Sequence, residues 1–104
     1  MRGDIRYFIL SHMKAIELKE KVSLKDYLYT HNFSVKEYKK PFLCKFHEDH
    51  NPSAAIYNTN KGDFYICFAC GVKGDIFDIV GLVENLPRFK DQYKFLKEMY
   101  ENRT

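Results

Sequence analysis

No stretch of this sequence is long and apolar enough to cross a bilayer. The longest apolar run near the start is Tyr7 to Leu10, against the roughly 20 residues that a span requires. It is equally too short for the core of a secretory signal. The chain is therefore expected in the cytoplasm, with no membrane partner. Internal repeats, low-complexity tracts and proline-rich linkers are also missing, which leaves no seam between domains. Tryptophan is absent, so aromatic packing falls to nine Phe and eight Tyr. Cysteine is scarce and odd in number, three in all, and three thiols cannot close into a full set of disulfides. In a reducing compartment, spaced cysteines hold metal more often than they cross-link.

What is there suits one small domain. The 104 residues are too few for a metal-binding module plus a polymerase or ATPase core. A chain of this size buries only enough apolar surface for marginal stability, so a metal staple would help it. The formal net charge is +3. A divalent metal bound by three thiolates would bring it to about +2, because the metal takes the deprotonated thiol. The charge is uneven. Residues 31–45 carry Lys36, Lys39, Lys40 and Lys45 against Glu37 alone, whereas residues 46–60 carry Glu48 and Asp49 and no Lys or Arg. Such a basic stretch is either a solvated surface or part of an anionic-ligand site.

Residues 1–12 read as an N-terminal extension, and residues 13–104 as the domain proper. Ala15 to Lys21 is compatible with helix. Ser23 is a predicted N-cap, with Asp26 three residues on as a capping-box variant, for a helix Leu24 to Thr30 burying Leu24, Tyr27 and Leu28. From Phe33 the pattern turns strand-like. Ser53 to Tyr57 and Asp63 to Phe68 are expected to pair across the turn chemistry of residues 58–62, with Phe64 and Ile66 on one face and Tyr65 and Cys67 on the other. Phe64 and Phe68 are expected in the core. Asp75 is a predicted N-cap for a helix carrying Ile76, Ile79, Val80 and Val83 at helical spacing. Pro87 ends it. Phe89, Tyr93, Leu96 and Tyr100 mark the packing stripe of a last helix. The expected class is α+β: a small antiparallel sheet flanked by short helices, a zinc ribbon if the cysteine pairs described next hold zinc.

The chemistry lies in two short pairs, Cys44-Lys45-Phe46-His47 and Cys67-Phe68-Ala69-Cys70. Two ligands separated by two residues on a tight knuckle can converge on one ion without strain. Two such knuckles joined by a hairpin complete a tetrahedral Cys₃His set, which is closed and leaves no position for a catalytic water. All three cysteines are used. A redox dithiol at Cys67 and Cys70 is the competing reading, but no βαβ pattern precedes it. His50 could stand in for His47, though it lacks the two-residue spacing. Backbone N–H groups of Phe46, Ala69, Gly71 and Val72 are expected to point at the thiolates.

The run Cys44-Lys45-Phe46-His47-Glu48-Asp49-His50-Asn51-Pro52-Ser53, followed by Phe64-Tyr65-Ile66-Cys67-Phe68-Ala69-Cys70-Gly71-Val72-Lys73-Gly74-Asp75, resembles the CHC2 zinc-binding domain of bacterial and phage DNA primases. The likeness covers about residues 13 to 101. Lys45 stands where that family usually has proline, Ala54 where a bulky residue often follows Pro-Ser, and Ile66 where histidine is common. None of these is a ligand position. The resemblance implies one structural zinc ion and a role in priming, with single-stranded DNA as partner alongside a polymerase, primase core or helicase. Lys39, Lys40, Lys45, Lys61 and Lys73 are the candidate phosphate contacts. Tyr57 and Tyr65 are candidate stacking platforms, or alternatively covers for the zinc site. Family primases continue into a polymerase core that needs an Asp-x-Asp pair, and this sequence contains none. The expectation is a non-catalytic module that works with a core on another chain. The alternative is a docking module that binds a helicase, polymerase or regulator without touching DNA.

Overall fold

The computed structural model describes residues 15–101; the expected extension, residues 1–12, lies outside them. Residues 15–21 form helix α1, and Leu24–Thr30 forms α2. Ser23 caps α2 as expected, its Oγ accepting the Asp26 N–H at 3.1 Å. The helix buries Leu24, Tyr27 and Leu28. His31 ends it, and Asn32 then turns the chain with φ 68°.

Strands β1 (Ala54–Thr59) and β2 (Gly62–Cys67) form the antiparallel hairpin, in the register Ala54 to Cys67 through Thr59 to Gly62. Both strands run closer to the turn than expected. Only Asn60 and Lys61 separate them, because Thr59 Oγ accepts the Lys61 N–H and donates to the Gly62 carbonyl. A third strand that the sequence did not announce, β3 (Lys73–Gly74), pairs with Ile66 and Tyr65 of β2. The sheet order is β1-β2-β3. The strand-like segment from Phe33 forms no strand. It touches the sheet through one bridge, Phe42 to Ala54, and a bond from the Lys39 N–H to the Ile56 carbonyl. Lys39 sits at φ 70° and Pro41 lacks an N–H, so a regular ladder cannot extend there.

Helix α3 (Ile76–Val83) starts at a complete capping box. Asp75 Oδ1 accepts the Asp78 N–H at 3.1 Å, and Asp78 Oδ2 accepts the Asp75 N–H at 3.0 Å. Its buried face is Ile76, Phe77, Ile79 and Val80. Helix α4 spans Phe89–Glu101. Its stripe is less buried than expected: Leu96 is enclosed, Tyr93 and Tyr100 pack against the core half-buried, and Phe89 is 56% exposed. Phe89 keeps side contacts with the rings of Phe77 and Tyr93, centroids 4.9 and 6.4 Å apart. The whole is the α+β zinc-ribbon class, a small antiparallel sheet with helices around it.

Strand alternation divides the sheet into two unlike faces. Ala54, Ile56, Tyr65 and Cys67 are buried and join the core with Leu24, Leu28, Phe33, Val35 and Phe42. Four rings, Phe33, Phe42, Phe46 and Tyr65, meet at centroid distances of 5.6–6.4 Å, mostly edge to face, the arrangement aromatic quadrupoles favour. The opposite face carries Tyr57, Phe64 and Ile66, all half-exposed. Phe64 is thus not the core residue expected, and Phe68, one step past β2, is 71% exposed.

Three contacts lock the helices to the sheet. Buried Asp63 accepts the Leu24 N–H, the Tyr38 hydroxyl and the Asn58 amide at 2.9–3.1 Å, so its burial is fully compensated. At Gly62 (φ 108°) a Cβ would collide with the Lys19 carbonyl of α1. At Gly74 one would collide with Asp78, which closes the capping box. Away from the sheet, Tyr27 donates to Glu84 at the end of α3 at 3.0 Å, and His31 Nε2 lies 3.2 Å from the same carboxylate.

Burial, then the bond and the charge of Glu84, hold the Tyr27 phenol well above its ordinary value of 10. A folded value above the unfolded one means that the folded state retains a proton the unfolded state loses. That stabilisation is complete below pH 10 and disappears as pH rises through the folded value. Equilibrium melts should therefore show stability declining from about pH 10 upward. Tyr27→Phe should cost about 1 kcal/mol at neutral pH and flatten that decline.

Candidate metal centre

Both knuckles emerge at the same end of the hairpin. Cys67 is the last residue of β2, and its N–H donates to the Val72 carbonyl while its carbonyl accepts the Gly71 N–H. These two bonds fold residues 67–72 into a tight turn, with Gly71 at φ 83°, and return the chain as β3. Cys44 follows the Phe42–Ala54 bridge and so lies beside the end of the sheet. Pairing of Ala54 with Cys67 then sets the two knuckles side by side.

The donor atoms of Cys44, His47, Cys67 and Cys70 all lie within 4.8 Å of one another. Cys44 Sγ and Cys70 Sγ are 3.9 Å apart, and Cys67 Sγ is 3.4 Å from His47 Nε2. A tetrahedron with zinc–sulfur bonds near 2.3 Å and a zinc–nitrogen bond near 2.05 Å has edges of about 3.8 and 3.6 Å. The two separations of 3.9 and 3.4 Å fit that size. Soft thiolates with one imidazole are a zinc donor set, and three cysteines plus one histidine leave no open site. Among the described residues this is the one cluster of three or more His, Cys, Asp or Glu groups able to hold a metal. His50 lies outside it, exposed and 3.4 Å from the Glu48 carboxylate.

The surrounding hydrogen bonds orient each donor. His47 Nδ1 lies 2.9 Å from the Glu48 carbonyl, so the tautomer that donates there leaves Nε2 free for a metal. Cys44 Sγ accepts the Phe46 N–H at 3.4 Å and the Tyr65 hydroxyl at 3.0 Å. Cys67 Sγ accepts from the Cys70 N–H and lies 3.4 Å from Ser53 Oγ. Asp49 ties the first knuckle to the residue that precedes β1, its Oδ2 accepting both the Cys44 N–H and the Ser53 hydroxyl at 2.9 Å. Of the backbone donors expected, Phe46 and Ala69 do face sulfur. The Gly71 N–H instead closes the turn on the Cys67 carbonyl, and Val72 contributes its carbonyl. Asp49, Ser53 and the Cys70 N–H were not anticipated. The first two sit inside the motif, but their role needs the folded loop.

The thiols themselves diverge. Burial pushes the Cys44 thiol up to about 11, against the lowering effect of Tyr65 and Phe46. Burial also opposes ionisation of Cys67, but the contact with Ser53 and the bonds from the Cys70 and Ala69 N–H groups outweigh it and bring the thiol down to about 6. The hydrogen bond to Cys67 raises His47 above its ordinary value, with burial opposing. The Cys44 N–H bond, followed by the Ser53 bond, keeps Asp49 below the ordinary carboxylate value. Of the two sulfurs, Cys67 would be the readier to hold a divalent cation as thiolate.

The sequence matches the family model described as CHC2 zinc finger over residues 11–104. The chain belongs to the CHC2 zinc finger family. As a CHC2 zinc finger it carries one structural zinc ion, and the Cys44–His47–Cys67–Cys70 cluster is the place that fits it. The gene 58 protein of Mycobacterium phage D29 is 47% identical over 38 residues, 36% of this chain and 28% of that protein. A DNA primase of Campylobacter jejuni is 52% identical over 44 residues, 42% of this chain and 7% of that protein. The matched segments span less than a third of either relative. Membership in this family ties the CHC2 domain to DNA priming and replication.

The candidate nucleic-acid residues divide. Lys39, Lys40, Lys45, Lys61 and Lys73 are all exposed. Lys39 and Lys40 flank the edge of β1, Lys61 sits at the hairpin turn and Lys73 lies on β3. Lys40 pairs with Glu37 at 3.4 Å, and the Lys45 ammonium lies 5.9 Å from the Phe33 ring centre. Tyr57 is half-buried on the outer face. Tyr65 is 0% exposed and cannot stack on a base. The alternative role is the one it fills, with its ring beneath the zinc cluster and its hydroxyl on Cys44. No helix among the described residues is long and apolar enough to cross a membrane.

Structural zinc in such knuckles is worth about 10–16 kcal/mol of apparent binding energy, as much as the roughly 5–15 kcal/mol net stability of a whole domain. Chelation or Cys67→Ser should therefore unfold the hairpin, read by circular dichroism. His47→Ala should lose stoichiometric zinc by elemental analysis while His50→Ala retains it; equal retention in both would overturn the ligand assignment. Tyr65→Phe keeps the buried ring and removes only the sulfur's donor. It should weaken zinc affinity by about 10–100-fold in competition with a chromophoric chelator.

Proposed function

We propose that this chain is a zinc-dependent module that binds single-stranded DNA during priming, with a polymerase core elsewhere carrying the synthetic chemistry. Residues 13–104 act as the module in this reading, working at the replication fork, with residues 1–12 as an appendage. The observation that carries it is the outer face of the sheet. Tyr57 and Phe64 are direct cross-strand partners there, Ile66 lies beside Lys73, and Phe68 stands 71% exposed at the zinc knuckle. Exposed lysines border this face at the edge of β1, at the hairpin turn and on β3. Aromatic rings framed by cations are what an unpaired strand requires, since every base has a face to stack and every linkage a charge to neutralise.

This arrangement replaces Tyr65 by Phe64 and Phe68 as partners of Tyr57. Zinc contributes by holding the end of the sheet rigid, so the face is formed before the strand arrives. A second reading, docking to a helicase, polymerase or regulator, draws support from the helical side. Ile16, Leu82 and Phe89 are 47%, 52% and 56% exposed there. Phe89→Glu should abolish such an association in nuclease-treated pull-downs and leave DNA binding intact.

Titration of a labelled oligonucleotide with the zinc-loaded protein tests the first reading. Affinity should fall with salt, with a log–log slope of about −0.7 per phosphate neutralised. Phe68→Ala should weaken binding by the roughly 1–3 kcal/mol that one base stack supplies. No binding at low salt, with or without a replication polymerase present, would remove this reading.

A further inference from the structure

Three non-glycine residues among those described adopt a positive φ: Asn32, Lys39 and Asn85. Two are asparagine, whose short amide tolerates the left-handed region. Lysine has no such compensation, and its Cβ meets the steric penalty that glycine avoids. Lys39, at φ 70°, is the exception.

The backbone at this position does not call for lysine. Its N–H donates to the Ile56 carbonyl at 2.8 Å, a bond that glycine or asparagine would make equally well. The turn is also firmly set on both sides. Before it, the Tyr38 hydroxyl is held by buried Asp63 at 3.1 Å. After it, Pro41 confines Lys40 to extended conformations, and Phe42 exchanges backbone bonds with Ala54. The cation at the end of this rigid support is exposed and takes part in no ion pair among the described residues. Its neighbour Lys40 is paired with Glu37. Lys73 faces it from the other edge, three strand spacings away or about 14 Å.

We propose that Lys39 anchors a phosphate of the bound strand, and that the left-handed strain persists because the side chain is needed at the edge of the sheet. This rests on the single-strand-binding reading above and adds to it a place and a direction. The strand crosses the sheet from the Lys39 edge toward Lys73, over Tyr57 and Phe64, instead of running along the hairpin. The ligand group is a phosphodiester. A turn fixed before binding loses little freedom on contact, so one lysine there outweighs a lysine on a loose loop.

The experiment compares four forms of the zinc-loaded 104-residue chain with wild type, by thermal melting and by titration of a mixed-sequence single-stranded oligonucleotide. Lys39→Gly and Lys39→Asn relieve the strain and remove the charge. Both should melt a few degrees higher, bind roughly three- to tenfold more weakly at low salt, and show a salt slope shallower by about 0.7. Lys39→Arg keeps cation and strain, and should match wild type in both measurements. Lys36→Ala removes a charge from the same loop at a residue without a positive φ, and should change affinity less than Lys39→Gly does. Wild-type binding with an unaltered Lys39→Gly affinity overturns the anchor alone. An equal loss in Lys36→Ala overturns it too, because net charge then explains the effect. A lower melting temperature in both Lys39→Gly and Lys39→Asn removes the strain premise. If wild type binds no oligonucleotide, the reading of the whole face falls and the anchor with it.

Discussion

The convergence of four donors at one end of a two-stranded hairpin is the constraint on which the remaining architecture depends. Bringing three sulfurs and an imidazole within 4.8 Å concentrates groups that must lose protons together, and only a divalent cation offsets that crowding. The cluster in turn needs the hairpin in register, because Ala54 opposite Cys67 places the second knuckle beside the first. A one-residue slip would move Cys67 to the outer face and Phe68 into the core. Metal site and strand register therefore specify each other.

Tyr65 joins this site to the hydrophobic core. Its ring closes a group of four aromatics, and its hydroxyl supplies a strong donor to the buried Cys44 sulfur. A phenylalanine would pack there without satisfying the thiolate, and a smaller polar residue would leave a hole under the ion. Asp49 performs a parallel task from the solvent side, tying the Cys44 backbone to Ser53. Buried Asp63 does the same at the far end of the hairpin, where it accepts from α2 and from the loop that follows it. Small domains have few apolar contacts to spare, and here hydrogen-bonded carboxylates stand at the joints that hydrophobic packing leaves open.

With one face of the sheet committed to zinc and core, the other remains available. Its exposed rings are held by the ladder beneath them, and its cations come from three separate segments of chain. A face assembled in this way is rigid without being enclosed. The helices lie elsewhere and present a different, more apolar surface.

Much of this was legible from residue types and spacing. The two x₂ pairs identified the metal set, Ser23 and Asp75 located helix starts, Leu24 to Thr30 was bounded correctly, and alternation separated Phe64 and Ile66 from Tyr65 and Cys67. Those features are local, set by backbone geometry within a few residues. Which of the two faces would be buried was not legible, because both carry an aromatic, and only packing against Phe33, Phe42 and Phe46 decides that Tyr65 goes inside and Phe64 and Phe68 remain outside. The same is true of the two-residue β3, the reach of Asp49 and Asp63, the exposure of Phe89 and the left-handed turn at Lys39. Each depends on a partner distant in the chain, whose position a linear pattern does not encode. The sequence by itself determined the ion and the ligand types; the tertiary contacts decided which surface was left to meet another molecule.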